Sequence, residues 1–141
     1  MDVKALIKNK GLGYWICAAA SVFALVLAII VFATNFDALP NTVSNGWAIG
    51  LVLLIGVVVQ IAVTFFPIRF ASAVSVIVYT IAFGVTANKI PNAIADHFNQ
   101  VNYTGGDFGM CMFYAVAALV ITLACVVACF FKQTKDGTAV V

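Results

Sequence analysis

Gln60 is the residue within an apolar segment whose side chain is best suited to bind a polar group. It is the only strongly polar side chain deep in the long apolar stretch that begins at Gly46. A buried amide needs a hydrogen-bonding partner in an apolar environment, so Gln60 indicates either a bond to a neighbouring helix or a contact with a solute in a polar cavity. Of these two roles, we expect the bond between helices.

Hydroxyl side chains follow in the next apolar segment. Ser72, Ser75 and Tyr79 recur at spacings of three and four residues, which places them on one face of a helix. Such hydroxyls bond to their own helix or across to a neighbour. The stripe is either a packing seam or one wall of a narrow polar cavity, and the pattern favours the seam.

The remaining reactive groups form no catalytic or metal-binding pattern. His97 is the only histidine, which excludes a bis-histidine haem site and the usual zinc ligand set. Met110, Cys111 and Met112 offer three sulfur atoms, but consecutive helical residues point in different directions. The sequence shows no Ser/His/Asp set, paired carboxylate or phosphate-binding glycine loop. We therefore predict no metal, no cofactor and no enzymatic activity.

The four cysteines predict free, buried thiols. Cys17, Cys125 and Cys129 fall within apolar segments, and Cys111 lies near the end of one. Structural disulfides occur in oxidising compartments, and no pair falls in a predicted external loop.

The composition is that of an integral membrane protein. Of the 141 residues, 65% are hydrophobic and only 9% are charged, whereas a soluble domain carries about 25% charged residues. A bilayer core about 30 Å thick requires roughly 20 apolar residues per helix. The predicted spans are residues 12–34, 46–66, 68–87 and 108–131, which form a single all-α membrane domain, a four-transmembrane-helix bundle built of two hairpins.

A six-residue corner, Phe65–Phe70, separates the second and third predicted spans. Pro67 lacks an amide hydrogen and disfavours helical geometry at the residue before it, so it breaks the helix. Arg69 would cost about 2.5–3.5 kcal/mol at the centre of a membrane helix. The corner is therefore expected at a water interface.

The charged residues divide between the two sides of the predicted bundle. The side with both termini and the corner carries six positive and two negative charges, a sum of +4, and the other side carries one positive and three negative, a sum of −2. Because Lys and Arg in short loops favour the cytoplasm, we predict a multi-pass protein of the cell membrane with cytoplasmic N- and C-termini. The first set is Asp2, Lys4, Lys8, Lys10, Arg69, Lys132, Lys135 and Asp136, and the second is Asp37, Lys89, Asp96 and Asp107.

The longest polar stretch, between the third and fourth spans, contains a helical pattern. Ile90, Ile94, Phe98 and Val101 recur at spacings of four, four and three, with Asp96 on roughly the opposite side. This pattern predicts a short amphipathic helix lying on the outer surface. The residues there that we expect to contact a partner are Asp96, His97, Phe98 and Tyr103.

Small residues indicate where helices approach each other closely. Ala20, Ala24 and Ala28 form a ridge at four-residue spacing, and Gly46 and Gly50 match the GxxxG pattern. Both patterns also arise by composition alone in apolar helices.

An internal repeat is a further interpretation. Residues 21–41 and 72–92 agree at five aligned positions, which indicates either two parallel hairpins or the shared composition of apolar helices. The matches are Ser21 with Ser72, Ile30 with Ile81, Phe32 with Phe83, Pro40 with Pro91 and Asn41 with Asn92.

These observations favour a non-enzymatic function. The chain has no Glu and no Asp within a predicted span, which disfavours proton-coupled transport by a buried acid. We predict an anchor, accessory or scaffold subunit in a larger membrane assembly. Its expected partners are membrane lipid and either another membrane or membrane-associated protein or a second copy of the chain, and no nucleic acid. The alternative is a small oligomeric channel or transporter for a neutral or weakly polar solute.

Overall fold

The helices account for most of the chain. The computed structural model describes residues 7–34, 46–66 and 71–135. The helices bounded within these residues are α1 (Leu12–Ala33), α2 (Gly46–Phe65), α3 (Ala71–Ala87), α4 (Ile90–Asn99) and α5 (Phe108–Cys129).

Four helical stretches are long and apolar enough to cross a membrane. Three of them fall in α1, α2 and α5, and the fourth is the stretch Ser72–Asn99, which combines α3 with α4. The prediction of an all-α, four-helix membrane protein is confirmed. The last helix ends at Cys129, two residues before the predicted end of its span.

The four long helices form a closed ring. α1 packs against α2 and α5, and α3 packs against the same two helices from the opposite side. Contacts of Tyr14 with Thr64 and of Thr34 with Tyr114 show that α1 runs antiparallel to both of its neighbours. We call the end of the bundle where α1 begins and α5 finishes the terminus end, and the opposite end the loop end.

Alanines line the inner face of α1. Ala24 and Ala28 are completely buried and Ala20 is nearly so. Because a methyl group lets neighbouring helices approach closely, this ridge lies at the centre of the core together with Leu27 and Val31.

The glycines of α2 accommodate aromatic rings. Gly50 lies against the ring of Phe32 from α1, and Gly56 lies against the ring of Tyr79 from α3, so a Cβ at either position would collide with that ring. Gly50 therefore meets a side chain rather than the backbone of another helix. Gly46 is the first residue of α2.

The two ends of the chain pair at the terminus end. The amide of Gly11 donates to the carbonyl of Gln133 at 2.7 Å, and the amide of Lys135 donates to the carbonyl of Asn9 at 2.9 Å. A Cβ on Gly11 would collide with the Lys132 carbonyl. This pairing ties the start of α1 to the segment after α5, and no pattern in the sequence predicted it.

Two predicted features lie outside the described residues. Pro67 and Arg69 of the corner belong to the gap between α2 and α3, and the first loop belongs to the gap between α1 and α2. The corner and the internal repeat, which depends on Pro40 and Asn41, stay predictions.

Replacing Gly11 tests the pairing of the two ends. Gly11 has an extended backbone, with φ −85° and ψ 178°, so Gly11→Ala is strained only by contact with the backbone of Lys132 and Gln133. We expect overpacking to cost about 1–3 kcal/mol, measured as a lower thermal unfolding midpoint in detergent. Gly84→Ala is the matched control, because nothing lies within 4 Å of a Cβ there. Equal midpoints for the two variants would contradict the pairing.

Candidate functional site

A buried amide joins α2 to α3. Gln60 is 6% exposed, and its Oε1 accepts a hydrogen bond from the Ser75 hydroxyl at 3.4 Å. The other end of the amide, Nε2, has no acceptor among the residues that the structure describes. Because an unpartnered buried donor is rare in native proteins, Gln60 is the most unusual polar group in the bundle.

A second polar contact joins α3 to α1. The Tyr79 hydroxyl donates to the Ser21 hydroxyl at 2.8 Å, and Tyr79 is completely buried. Ser72 is also buried. The hydroxyl stripe of α3 therefore faces the interior of the bundle, where Ser75 bonds to α2 and Tyr79 bonds to α1.

Two thiols meet next to this cluster. Cys17 of α1 and Cys125 of α5 are both buried in the same core cluster, and their side chains lie next to each other. Cys129 is exposed, contrary to the prediction, because it lies at the last position of α5 on the outer side of the bundle. Its thiol donates to the Cys125 carbonyl at 3.3 Å.

A buried lysine lies at the terminus end. Lys10 is 5% exposed, its ammonium lies 4.8 Å from the centre of the Tyr14 ring, and it donates to the Val63 carbonyl at 3.4 Å. Tyr14 in turn bonds to the Thr64 hydroxyl at 2.7 Å. Burial lowers the pKa of Lys10 below its ordinary value. The sequence indicated only that Lys10 would face water.

These contacts connect neighbouring helices. Among the described residues, Gln60 is bonded to the Ser75 hydroxyl and Tyr79 to the Ser21 hydroxyl, and neither is bonded to a carboxylate or an imidazole. Within residues 7–34, 46–66 and 71–135, no group of three His, Cys, Asp or Glu side chains could hold a metal ion.

The loop after α4 is held by a carboxylate. Asp96 accepts hydrogen bonds from the Thr104 amide at 2.7 Å and from the Thr104 hydroxyl at 2.6 Å. His97 stacks on Phe108 with ring centres 4.2 Å apart. The Asp107 side chain then caps α5 by accepting from the Met110 amide at 2.9 Å. Asp96, His97 and Asp107 line a small cleft of about 150 Å³.

Phe98 and Tyr103, unlike Asp96, have side chains that are almost fully exposed. They are 79% and 88% exposed, and Ile94 and Val101 of the predicted apolar stripe are exposed as well. The buried side of α4 instead presents Ala93 and the preceding Lys89, which is 1% exposed.

An apolar groove runs along the outside of the bundle between α1 and α5. Its volume is about 600 Å³. Residues from Ile16 to Ile30 line one side of it, which corresponds to a length of about 21 Å at about 1.5 Å per residue. Small side chains, Ala19, Ala20, Ala117 and Ala124, alternate there with the large Phe23 and Phe113.

Comparison of the chain with protein-family models, curated proteins and solved structures finds no match.

Three contact residues of the buried cluster were not found by sequence reasoning. Ser21 and Thr64 are each the only Ser or Thr of their helix, and Cys17 gives no sign that it contacts Cys125. Only the absence of any other Ser or Thr between Leu12 and Ala33 could have singled out Ser21.

The carboxylate of Asp96 provides a pH test of the loop. The Thr104 hydroxyl, and after it the Thr104 amide, hold the pKa of Asp96 below its ordinary value. Because the pKa of Asp96 is lower in the folded state, the ionised carboxylate stabilises the fold. This stabilisation is fully present above the pKa of Asp in the unfolded chain. It is lost as the pH falls through the lower pKa of the folded state.

We expect Thr104→Val, which loses the hydroxyl, to raise the pKa of Asp96 toward its ordinary value. Thr104→Ser is the matched control, because it keeps both donors. The measurement is the pH dependence of the Asp96 carboxyl ¹³C chemical shift in detergent micelles. Identical titration curves for the two variants would show that the hydroxyl does not bind the carboxylate.

Proposed function

We propose that this chain is a non-enzymatic accessory subunit that anchors or organises a larger assembly in the cell membrane. The observation that carries the proposal is the groove between α1 and α5. Its occupant in this proposal is a transmembrane helix of a partner protein.

The shape and lining of the groove fit a helix. Transmembrane helices associate mainly by van der Waals packing, and small residues let the two backbones approach. Ala19, Ala117 and Ala124 leave room for a row of side chains from a partner helix, and Phe23 and Phe113 supply larger contacts beside it. Ridge-into-groove packing of this kind is the usual geometry between helices.

The interior of the bundle supports a structural role. Tyr79 with Ser21 and Ser75 with Gln60 each join two helices. A hydroxyl that is bonded to a neighbouring helix stabilises the bundle and is not available to a solute.

The charges support cytoplasmic termini. Lys8, Lys10, Lys132 and Lys135 lie at the terminus end, outside α1 and α5. Basic residues next to a membrane span favour the cytoplasmic side. Those that reach the surface also attract anionic lipid by about 1 kcal/mol each.

Filling the groove tests the accessory role. Ala19→Leu and Ala117→Leu place a larger side chain in the groove, and we expect each to weaken partner binding at least about tenfold, which is about 1.4 kcal/mol. The measurement is the mass and stoichiometry of the complex purified from native membranes in mild detergent. Ala62→Leu is the matched control, because Ala62 is exposed on α2, away from the groove.

Each outcome has a defined meaning. A stoichiometric second protein that is lost in both groove variants and retained in Ala62→Leu supports the proposal. A complex of identical chains with the same sensitivity identifies the partner as a second copy. A chain that is monomeric in native membranes overturns the accessory role.

A second candidate function is a small channel or transporter for a neutral or weakly polar solute. The observation that favours it is the unpartnered Nε2 of Gln60, since a buried donor without an acceptor can bind a polar ligand.

Solute flux separates the two candidates. A channel predicts that liposomes containing the chain take up glycerol or urea faster than empty liposomes, and that Gln60→Leu lowers this rate at least about tenfold because the amide is lost. Thr80→Val is the control, because it removes a hydroxyl from the exposed side of α3. Equal rates with and without the protein would exclude the channel for these solutes. The rates are measured by light scattering after an osmotic step.

A further inference from the structure

We propose that α4 is an in-plane lipid-binding helix. Its exposed apolar edge consists of Ile94 and Phe98 and continues into Val101 and Tyr103 of the loop that follows. This edge inserts into the boundary between headgroups and acyl chains of the leaflet at the loop end. This lipid contact is separate from the groove between α1 and α5.

The length of α3 places α4 at membrane depth. α3 has 17 residues and is about 26 Å long at about 1.5 Å per residue, which is less than the bilayer core of about 30 Å. α1 and α5 have 22 residues each and reach about 33 Å. Only Asn88 and Lys89 separate α3 from α4. The start of α4 therefore lies level with the outer turns of its neighbours, and not above them in water.

Both ends of α4 lie against the bundle. At its start, Lys89 is 1% exposed. Near its end, His97 stacks on Phe108, the first residue of α5. About 12 Å of helix separates Lys89 from His97, yet neither end rises clear of the bundle. The axis of α4 is closer to the membrane plane than to its normal.

The side chains of α4 are arranged for this orientation. With about 100° per residue, Ile94 and Phe98 lie about 100° and about 140° around the helix from the buried Ala93. Asn92 and Asn99 lie at similar angles in the other direction. Because the buried side faces the bundle, the apolar edge and the asparagine edge lie on opposite sides of α4.

The charged side chains of Lys89 and Asp96 lie on the side of α4 that faces the bundle. Lys89 and Asp96 both lie within about 60° of Ala93 around the helix, Lys89 is buried, and Asp96 is bonded to Thr104. The apolar edge carries no charge. An interfacial helix needs an uncharged apolar edge of this kind, and Tyr103 is of the type enriched at headgroup level.

Exposed side chains of the neighbouring membrane-spanning helices are apolar as well. Ile77 and Ile81 on α3 and Phe113 and Val116 on α5 are exposed side chains of membrane-spanning helices. Lipid therefore surrounds the bundle directly below α4, and the edge at Phe98 extends this surface outward. A soluble protein partner would instead need the edge to face water.

Fluorescence quenching in vesicles tests the insertion. Trp15→Phe and Trp47→Phe remove the native indoles from the full-length chain, and Phe98→Trp then places one on the apolar edge. Asn99→Trp, on the opposite edge of the same helix, is the matched control. Each variant is reconstituted into phosphatidylcholine vesicles and quenched either by aqueous iodide or by phosphatidylcholine brominated close to the glycerol end of its acyl chains.

We expect the indole at position 98 to be quenched by the brominated lipid at least about twofold more, and by iodide at least about twofold less, than the indole at position 99. Equal iodide quenching at the two positions, or a lack of quenching by the brominated lipid at position 98, would overturn the proposal. Helix content and a monodisperse elution profile confirm folding, and Val101→Trp gives the same readout if Phe98→Trp does not fold.

Discussion

A small number of polar groups determines which faces of the four long helices pack together. α1, α2, α3 and α5 are apolar almost all the way round, and in a bilayer the lipid is as apolar as the core, so hydrophobicity does not select a partner face. Small residues and hydrogen bonds make the selection. Ala24 and Ala28 allow close approach, while the bonds of Tyr79 and Gln60 specify which faces meet.

The same constraint explains the structure at both ends. A polar group that cannot reach water must find a partner within the protein. Lys10 meets the Tyr14 ring and a helix carbonyl, and Thr34 bonds to the hydroxyl of Tyr114. The pairing of the segments around Gly11 and Gln133 satisfies backbone groups where α1 begins and α5 has finished. These contacts tie α1 to α2 and α5 near the ends of the bundle.

Particular residues show how far sequence reasoning reached. The hydroxyl stripe of Ser72, Ser75 and Tyr79 could be placed on one helix face because its members lie within two turns, and the structure buries all three. Their partners could not be named, because Ser21 lies on another helix and its contact depends on how α1 and α3 sit across the bundle. The contact between Cys17 and Cys125 has the same origin.

The sequence by itself determined the number of spans and the presence of a helix between the third and fourth spans, because these depend on local composition and on the length needed to cross a bilayer. The tertiary structure alone decided that Lys10 and Lys89 are buried, that Gly50 meets an aromatic ring, and that a groove remains between α1 and α5. Those outcomes depend on the rotation and register of each helix. Nearly uniform apolar helices carry little local information about either.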